Sequence, residues 1–325
     1  GFSPRRIVYS GVGKRLDEID MALKKEILMF NVESLEELRI LNERGKAIGK
    51  KAPIALRVNP DVDPRTHPYI STGLRKNKFG VDAKSALEGY RIAQTLSNIR
   101  IIGIDCHIGS QITAAAPFKD AMESLKDLIR ELGRMGIALE YLDMGGGLGI
   151  VYDDESPPLP GEYARAISGS LKGFSLKLIL EPGRVIVGNA GILVTGVIFR
   201  KKGTPKEFII VDAAMNDLIR PSLYNAFHAI WPVVKTRAKA IKADVVGPIC
   251  ESGDFLAQDR KIADVKRGDL MAVMSAGAYG FAMSSTYCSR PRIPEVMVKK
   301  DQFHVIRKRE TAADLIRGES IPSFI

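Results

Sequence analysis

An α/β unit on a parallel sheet, followed by a mostly antiparallel β-rich unit, is the fold this sequence predicts. Three observations lead there. From Ile7 to Glu181 short apolar runs alternate with amphipathic stretches of helical period, the pattern of strands joined by helical crossovers. Beyond Arg184 the helical period thins and β-type runs follow one another. Most of the early runs close on glycine or polar clusters, at the strand ends where enzymes of this class place their working groups.

The early runs are Ile7–Ser10, Ile27–Val32, Ile54–Asn59, Ile101–His107, Tyr141–Met144 and Leu176–Glu181. Helical stretches between them include Ser34–Glu43, Ser85–Leu96 and Ala121–Met135, the last with Met122, Leu125, Leu128, Ile129 and Leu132 on one face. That makes six βα units; a (β/α)8 barrel has eight of roughly 30 residues each. An open doubly wound sheet could stop at six, although no Gly-x-Gly-x-x-Gly opens a helix after the first run. On pattern alone, the first unit is either an open sheet or a barrel short of two βα units. The later runs are Ile192–Arg200, Glu207–Val211, Ala243–Val246, Leu270–Met274, Glu295–Val298 and Phe303–Arg307. The change of texture places the boundary near residues 184–195, giving domains of 1–187 and 188–325.

Hydrophobic residues make up 45% and charged residues 26% of 325, as in a soluble globular protein. There is no apolar run long enough for a membrane span. A net charge of +10 raises the question of nucleic acid, but the basic residues are scattered, with only short clusters such as Arg5-Arg6, Lys50-Lys51 and Lys299-Lys300. A solvated surface, with some charge serving anionic ligands, is the reading. Cys106, Cys250 and Cys288 have no paired spacing, which argues for a reducing, cytoplasmic setting and against a structural zinc site. The opening glycine suggests a partial chain.

Five clusters carry chemistry. His107-Ile-Gly-Ser110-Gln111 ends an apolar run; an imidazole there can stack on a flat ring, and a hydroxyl can donate to a phosphate. Asp143-Met-Gly145-Gly146-Gly147-Leu-Gly149 bares backbone N–H groups that suit a phosphate. Glu181-Pro182-Gly183-Arg184 sets a carboxylate, a rigid turn, free amides and a guanidinium side by side. Gly247-Pro-Ile-Cys250-Glu251-Ser252-Gly253-Asp254 puts a thiol beside a carboxylate. Ala276-Gly277-Ala278-Tyr279-Gly280 frees a tyrosine hydroxyl to approach a ligand closely. Each has a plainer reading alone: a packed histidine, a tight turn, a surface ion pair, a buried cysteine or a core tyrosine.

Jointly and in this order, the clusters resemble the fold-type III, alanine-racemase-like decarboxylases that use pyridoxal 5'-phosphate, and within them the diaminopimelate branch. Further shared hallmarks are Arg57-Val-Asn-Pro60, Lys78-Phe-Gly80, Asp212–Tyr224 and Ala278–Ser285. Departures are Ala214, where glycine is usual, and Cys288, where asparagine is commoner. The resemblance implies a (β/α)8 barrel, here without its first two βα units, then a β-barrel or sandwich domain. It also implies that the cofactor's Schiff-base lysine, in a Tyr-x-x-Lys-Ala-Asn motif ending the first barrel strand, is absent from this chain. Lys14 lies in the third unit and is no substitute. The chain as given is accordingly expected to be inactive.

The same resemblance assigns roles. Glu181 pairs with the cofactor's ring nitrogen and His107 stacks on the ring. Ser110, Gly146, Gly147, Pro182, Gly183, Arg184 and Tyr279 surround its phosphate. Arg184, Arg220, Tyr224 and Tyr279 bind the substrate, Glu251 takes its distal ammonium, and Cys250 returns a proton to give L-lysine. The partners implied are an amino-acid substrate and a second copy sharing active sites, with neither nucleic acid nor membrane. The competing readings are a decarboxylase of ornithine, arginine or carboxynorspermidine, or a non-catalytic relative.

Overall fold

The computed structural model describes residues 1–63, 66, 72 and 78–325. They fall into two compact units, Gly1–Ile150 with Ser156–Val185, and Val151–Glu155 with Ile186–Ile325.

The first unit holds strands β1 (Val8–Tyr9), β2 (Met29–Val32), β3 (Ala52–Arg57), β4 (Ile99–Asp105), β5 (Tyr141–Asp143) and β6 (Lys177–Ile179). They pair in sequence order, every pair parallel. All residues of β2 and β3 are buried, which is why these strands read as continuous apolar runs rather than alternating ones. The sheet is strongly curled. Ser10, after edge strand β1, donates to the Glu181 carboxylate, after the opposite edge strand β6, at 2.9 Å. Asn31 of β2 likewise reaches Asp143 of β5 at 3.0 Å. A flat sheet would hold these pairs several strand spacings of about 4.8 Å apart, so the six strands trace a barrel arc.

Helices α1 (Leu16–Lys25), α2 (Leu35–Ile48), α3 (Ala83–Thr95), α4 (Ala116–Arg134) and α5 (Pro160–Ser170) form the crossovers. Their ends follow from capping chemistry. The Ser34 hydroxyl accepts from the Glu37 amide at 3.1 Å, and α2 stops at Gly49 with φ +71°, a left-handed cap that glycine adopts without penalty. The Asp82 carboxylate accepts from the Lys84 and Ser85 amides at 3.0 Å to start α3. In α4, Phe118, Met122, Leu125, Leu128, Ile129 and Leu132 are buried along one stripe, each contributing about 1.5–3 kcal/mol of burial. Its opposite face carries the ion pairs Lys126–Glu123, Arg130–Asp127 and Arg134–Glu131, which add little to stability.

The second unit contains β7 (Leu193–Lys202), β8 (Glu207–Val211), β9 (Ile230–Pro232), β10 (Ala240–Val246), β11 (Phe255–Ala263), β12 (Leu270–Val273), and a hairpin of β13 (Glu295–Lys299) and β14 (Gln302–Arg307). The larger sheet runs β11-β10-β8-β7-β12-β9. Its neighbours are antiparallel except β8 and β10, which are parallel. Leu193, Val197, Ile209, Val211, Val245, Leu256, Met271 and Val273 fill its core. The short helices are α6 (Arg184–Val187), α7 (Arg220–Tyr224) and α8 (Ala312–Leu315). Strands β9 and β11 have no counterpart among the runs expected from the sequence.

Candidate active site

The chemistry of the first unit gathers at the C-terminal ends of its strands. Arg57, Asp105 and Asp143 are the last residues of β3, β4 and β5, and Glu181 follows β6. A chain of hydrogen bonds crosses this mouth. The Asn31 amide donates to Asp143 Oδ2 and to Ser10 Oγ, both at 3.0 Å, and Ser10 Oγ donates to Glu181 Oε1 at 2.9 Å. The other Asp143 oxygen accepts from the Gly145 amide at 2.9 Å, and the Glu181 amide donates to the Gly145 carbonyl at 2.8 Å. The Glu181 carboxylate is thus aimed from both its backbone and its tip.

The glycines are required by contact. A side chain at Gly145 would run into the His107 ring, one at Gly146 into the Glu181 carbonyl, and one at Gly147 into the Gly109 carbonyl. Gly145 and Gly147 also sit at φ +62° and +110°, where other residues are strained. At Gly183, by contrast, nothing lies within 4 Å of where a side chain would begin. Beyond that turn, Arg184 is buried and donates to Ser110 Oγ at 2.9 Å.

Electrostatics separate the ionisable groups. Burial, and then the Asp143 charge, push the Asp105 carboxyl well above its ordinary range. Burial and Asp143 also push Glu181 up, while the Ser10 hydroxyl pulls it back. A cationic N–H arriving at Glu181 would relieve that strain, as an opposite charge favours the carboxylate. His107 is pushed down to about 4, by burial and then by Arg57. Geometry agrees: the Gly146 amide donates to His107 Nδ1 at 3.0 Å, so Nδ1 presents a lone pair and the ring is neutral. Arg57 in turn pairs with buried Glu33 at 2.7 Å, and Glu33 also accepts from the Gly80 amide at 2.8 Å. Lys14 is committed elsewhere, to Glu37 at 2.7 Å and to the carbonyls of Gly11 and Asn31.

These groups fit pyridoxal phosphate. A neutral imidazole can lie on a flat ring, a half-buried carboxylate short of positive charge suits a pyridinium nitrogen, and a hydroxyl, a guanidinium and a side-chain-free turn suit a phosphate. Of the residues expected from the sequence, His107, Ser110, Gly146, Gly147, Glu181, Pro182, Gly183 and Arg184 all lie at this mouth.

Arg220, Tyr224, Cys250, Glu251 and Tyr279 belong to the second unit. Arg220 opens α7 and Tyr224 closes it. The Ser222 hydroxyl in between donates to the Gly253 carbonyl at 2.5 Å, tying α7 to the Cys250 loop. Asp254 braces that loop, accepting from the Met215 and Ile249 amides at 2.7 Å each. Cys250 and Glu251 are exposed, and Glu251 accepts from the Tyr287 hydroxyl at 2.6 Å. Tyr279 holds φ +58°. Side chains at the flanking Gly277 and Gly280 would strike the Val187 and Ala276 carbonyls.

Sequence reasoning missed Ser10 and Asn31. Nothing local marks them, since Ser10 and Asn31 meet partners 171 and 112 residues away.

A curled parallel sheet with this mouth, followed by a β unit, defines a fold-type III pyridoxal-dependent decarboxylase. The family model described as "Pyridoxal-dependent decarboxylase, pyridoxal binding domain" matches residues 1–188. The diaminopimelate decarboxylase of Aquifex aeolicus is 56% identical over 311 residues, 95% of this chain and 74% of the relative. That of Pseudomonas aeruginosa is 53% identical over 321 residues, 99% of this chain and 77% of the relative. A crystal structure of the Helicobacter pylori diaminopimelate decarboxylase (I148L mutant) complexed with L-lysine superposes with TM-score 0.93 at 44% identity, covering 98% of this chain and 79% of that one. The chain belongs to the diaminopimelate decarboxylase family.

Proposed function

We propose that the protein decarboxylates meso-2,6-diaminopimelate to L-lysine and carbon dioxide with pyridoxal 5'-phosphate. When bound, the cofactor supplies a sink for the electron pair that carbon dioxide leaves behind. The chain's own residues do the rest. Glu181, oriented by Ser10, accepts the ring N–H and keeps that nitrogen cationic. His107, neutral, lies against the ring. Ser110, Arg184 and the amides of Gly147 and Gly183 take the phosphate, with Gly146 bracing the His107 ring, Pro182 stiffening the turn and Tyr279 contributing its hydroxyl. Arg220 and Tyr224 bind the distal carboxylate, and Glu251 the distal ammonium. The Cys250 thiol delivers a proton to the carbon that lost carbon dioxide and regains one from solvent, to which it is exposed.

Arg220 carries the choice of substrate. A buried guanidinium suits a distal carboxylate, whereas a substrate ending in an amine needs an acid there. The exposure of Cys250 and Glu251 supports a homodimer in which this loop serves the partner's site. Its free thiols suit the cytoplasm. No helix among the described residues is long and apolar enough to cross a membrane.

The test is carbon dioxide release by the full protein with added pyridoxal phosphate, offered meso-diaminopimelate, ornithine and arginine in turn. Lysine formation from diaminopimelate alone is expected. Faster turnover of ornithine or arginine would overturn the assignment.

A further inference from the structure

The Arg220 guanidinium is held in place by an imidazole that the reaction itself does not use. His228 is fully buried, at 0% exposure. Its Nε2 lies 2.7 Å from Arg220 NH1, and its Nδ1 lies 2.7 Å from the Met274 carbonyl oxygen. A carbonyl only accepts and a guanidinium only donates. Nδ1 must therefore carry the proton and Nε2 the lone pair, so one tautomer, neutral, satisfies both partners at once. A second restraint acts on the face of the guanidinium, whose carbon sits 4.4 Å over the Tyr152 ring. Tyr152 also meets the His228 ring edge-on, with centroids 5.2 Å apart and planes at 77°. The backbone of His228 is pinned too, its carbonyl accepting from Arg260 NH1 at 2.9 Å.

We propose that His228 is a positioning residue for substrate specificity: its Nε2 lone pair, with the Tyr152 ring face, locks the Arg220 guanidinium in the orientation that receives the substrate's distal carboxylate. This rests on the reading of Arg220 given above. Both of these restraints come from uncharged groups. A guanidinium fork recognises a carboxylate only in the right plane, and an arginine with free torsions must lose rotamer entropy on each binding event. Fixing one nitrogen by hydrogen bond and the plane by stacking removes both costs in advance.

The experiment uses two replacements that split the imidazole's two functions. His228→Asn keeps a donor for the Met274 carbonyl and loses the acceptor for Arg220; His228→Gln can place an oxygen where Nε2 stood. Steady-state kinetics with meso-diaminopimelate are combined with inhibition by L-lysine, which keeps the distal carboxylate, and by 1,5-diaminopentane, which has none. For His228→Asn, KM and the lysine Ki are expected to rise about 10- to 100-fold, the range of one hydrogen bond to a charged group. Inhibition by diaminopentane and kcat should stay within about threefold, because neither depends on the distal carboxylate. His228→Gln should recover most of the lost affinity. Equal weakening of lysine and diaminopentane, or unchanged lysine affinity in His228→Asn, overturns the proposal. Should both variants fold poorly, nitrogen NMR of the histidine-labelled wild type decides instead: the Nδ1–H tautomer is expected, with an Nε2 signal that moves on adding L-lysine and not on adding diaminopentane. The opposite tautomer, or no selective response, rejects it. A full protein, without any substitution, that neither binds L-lysine nor turns over diaminopimelate would sink the functional reading instead, and is distinguishable because it needs no variant.

Discussion

Between pH 7.5 and pH 5, acid should weaken the first unit chiefly through His107. Its ordinary pKa of 6.5 is pushed down to about 4 in the folded chain. The unfolded chain therefore binds a proton between those values while the folded one resists it. For a depressed group the contribution is complete above pH 6.5 and is lost as pH falls toward 4. At 1.36 kcal/mol per pH unit the whole effect is about 3 kcal/mol, and roughly 2 kcal/mol of it is gone by pH 5. His107 keeps some contact with solvent, which trims the figure. Asp105 and Glu181 act in the opposite sense: both are raised, so they gain protons on folding as pH falls and offset part of the loss. A bare pH titration would mix the two signs. The comparison that isolates His107 is His107→Asn, whose amide oxygen can still accept from the Gly146 amide but cannot titrate. Urea unfolding at pH 7.5 and pH 5 should show wild type losing about 1–2 kcal/mol more than the variant over that interval. Parallel pH dependence in the two proteins would refute the neutral, amide-capped imidazole, and with it the account of how this ring stays uncharged beside Arg57.

Three further outcomes follow from the same mouth. Arg57→Ala leaves the Glu33 carboxylate buried without its partner and should cost about 3–5 kcal/mol in urea unfolding; a loss below about 1 kcal/mol would contradict the burial argument. Gly146→Ala drives a methyl group into the Glu181 carbonyl, so binding of pyridoxal phosphate, followed by absorbance, should weaken at least about tenfold, equivalent to about 1.4 kcal/mol of the usual overpacking cost. Ser10→Ala removes the hydroxyl that pulls the Glu181 pKa down. The acid limb of the activity profile should then move to higher pH, and a shift to lower pH would break the assignment.

The strands of the first unit were legible because parallel strands buried on both faces leave continuous apolar runs, as β2 and β3 do. Their ends were less so: the run Ile101–His107 yields a strand that stops at Asp105, because the chain leaves the sheet where its side chains turn to the mouth. The two strands not foreseen, β9 and β11, are the two edges of the second sheet. Edge strands lack neighbours that enforce a pattern. Strand β9 is only Ile230–Pro232 and ends in a residue that cannot donate. In β11 the left-handed Asp259, at φ +49°, inserts a bulge opposite Asp244, which breaks the alternation that would have marked the strand.

The same physics explains which site residues were legible. Glycines and the His107, Glu181 and Cys250 clusters announce themselves because backbone approach and tight turns demand particular residues in a row. The residues that aim them do not, because a hydrogen-bond partner can come from anywhere in the chain. Ser10 aims Glu181 across the whole arc, Asn31 holds Asp143, and His228 holds Arg220 against Tyr152. Each aiming residue is polar and restrains the group it is bonded to. Burying such groups costs stability unless every donor finds an acceptor, so the burial of Asn31 and His228 is hard to explain by stability alone. What they supply is orientation: a carboxylate pointed at a ring nitrogen and a guanidinium pointed at a carboxylate. Reactions that depend on charge placed at a fixed atom need that orientation before the substrate arrives, and the hydrogen bonds from Ser10 to Glu181 and between His228 and Arg220 supply part of it in advance.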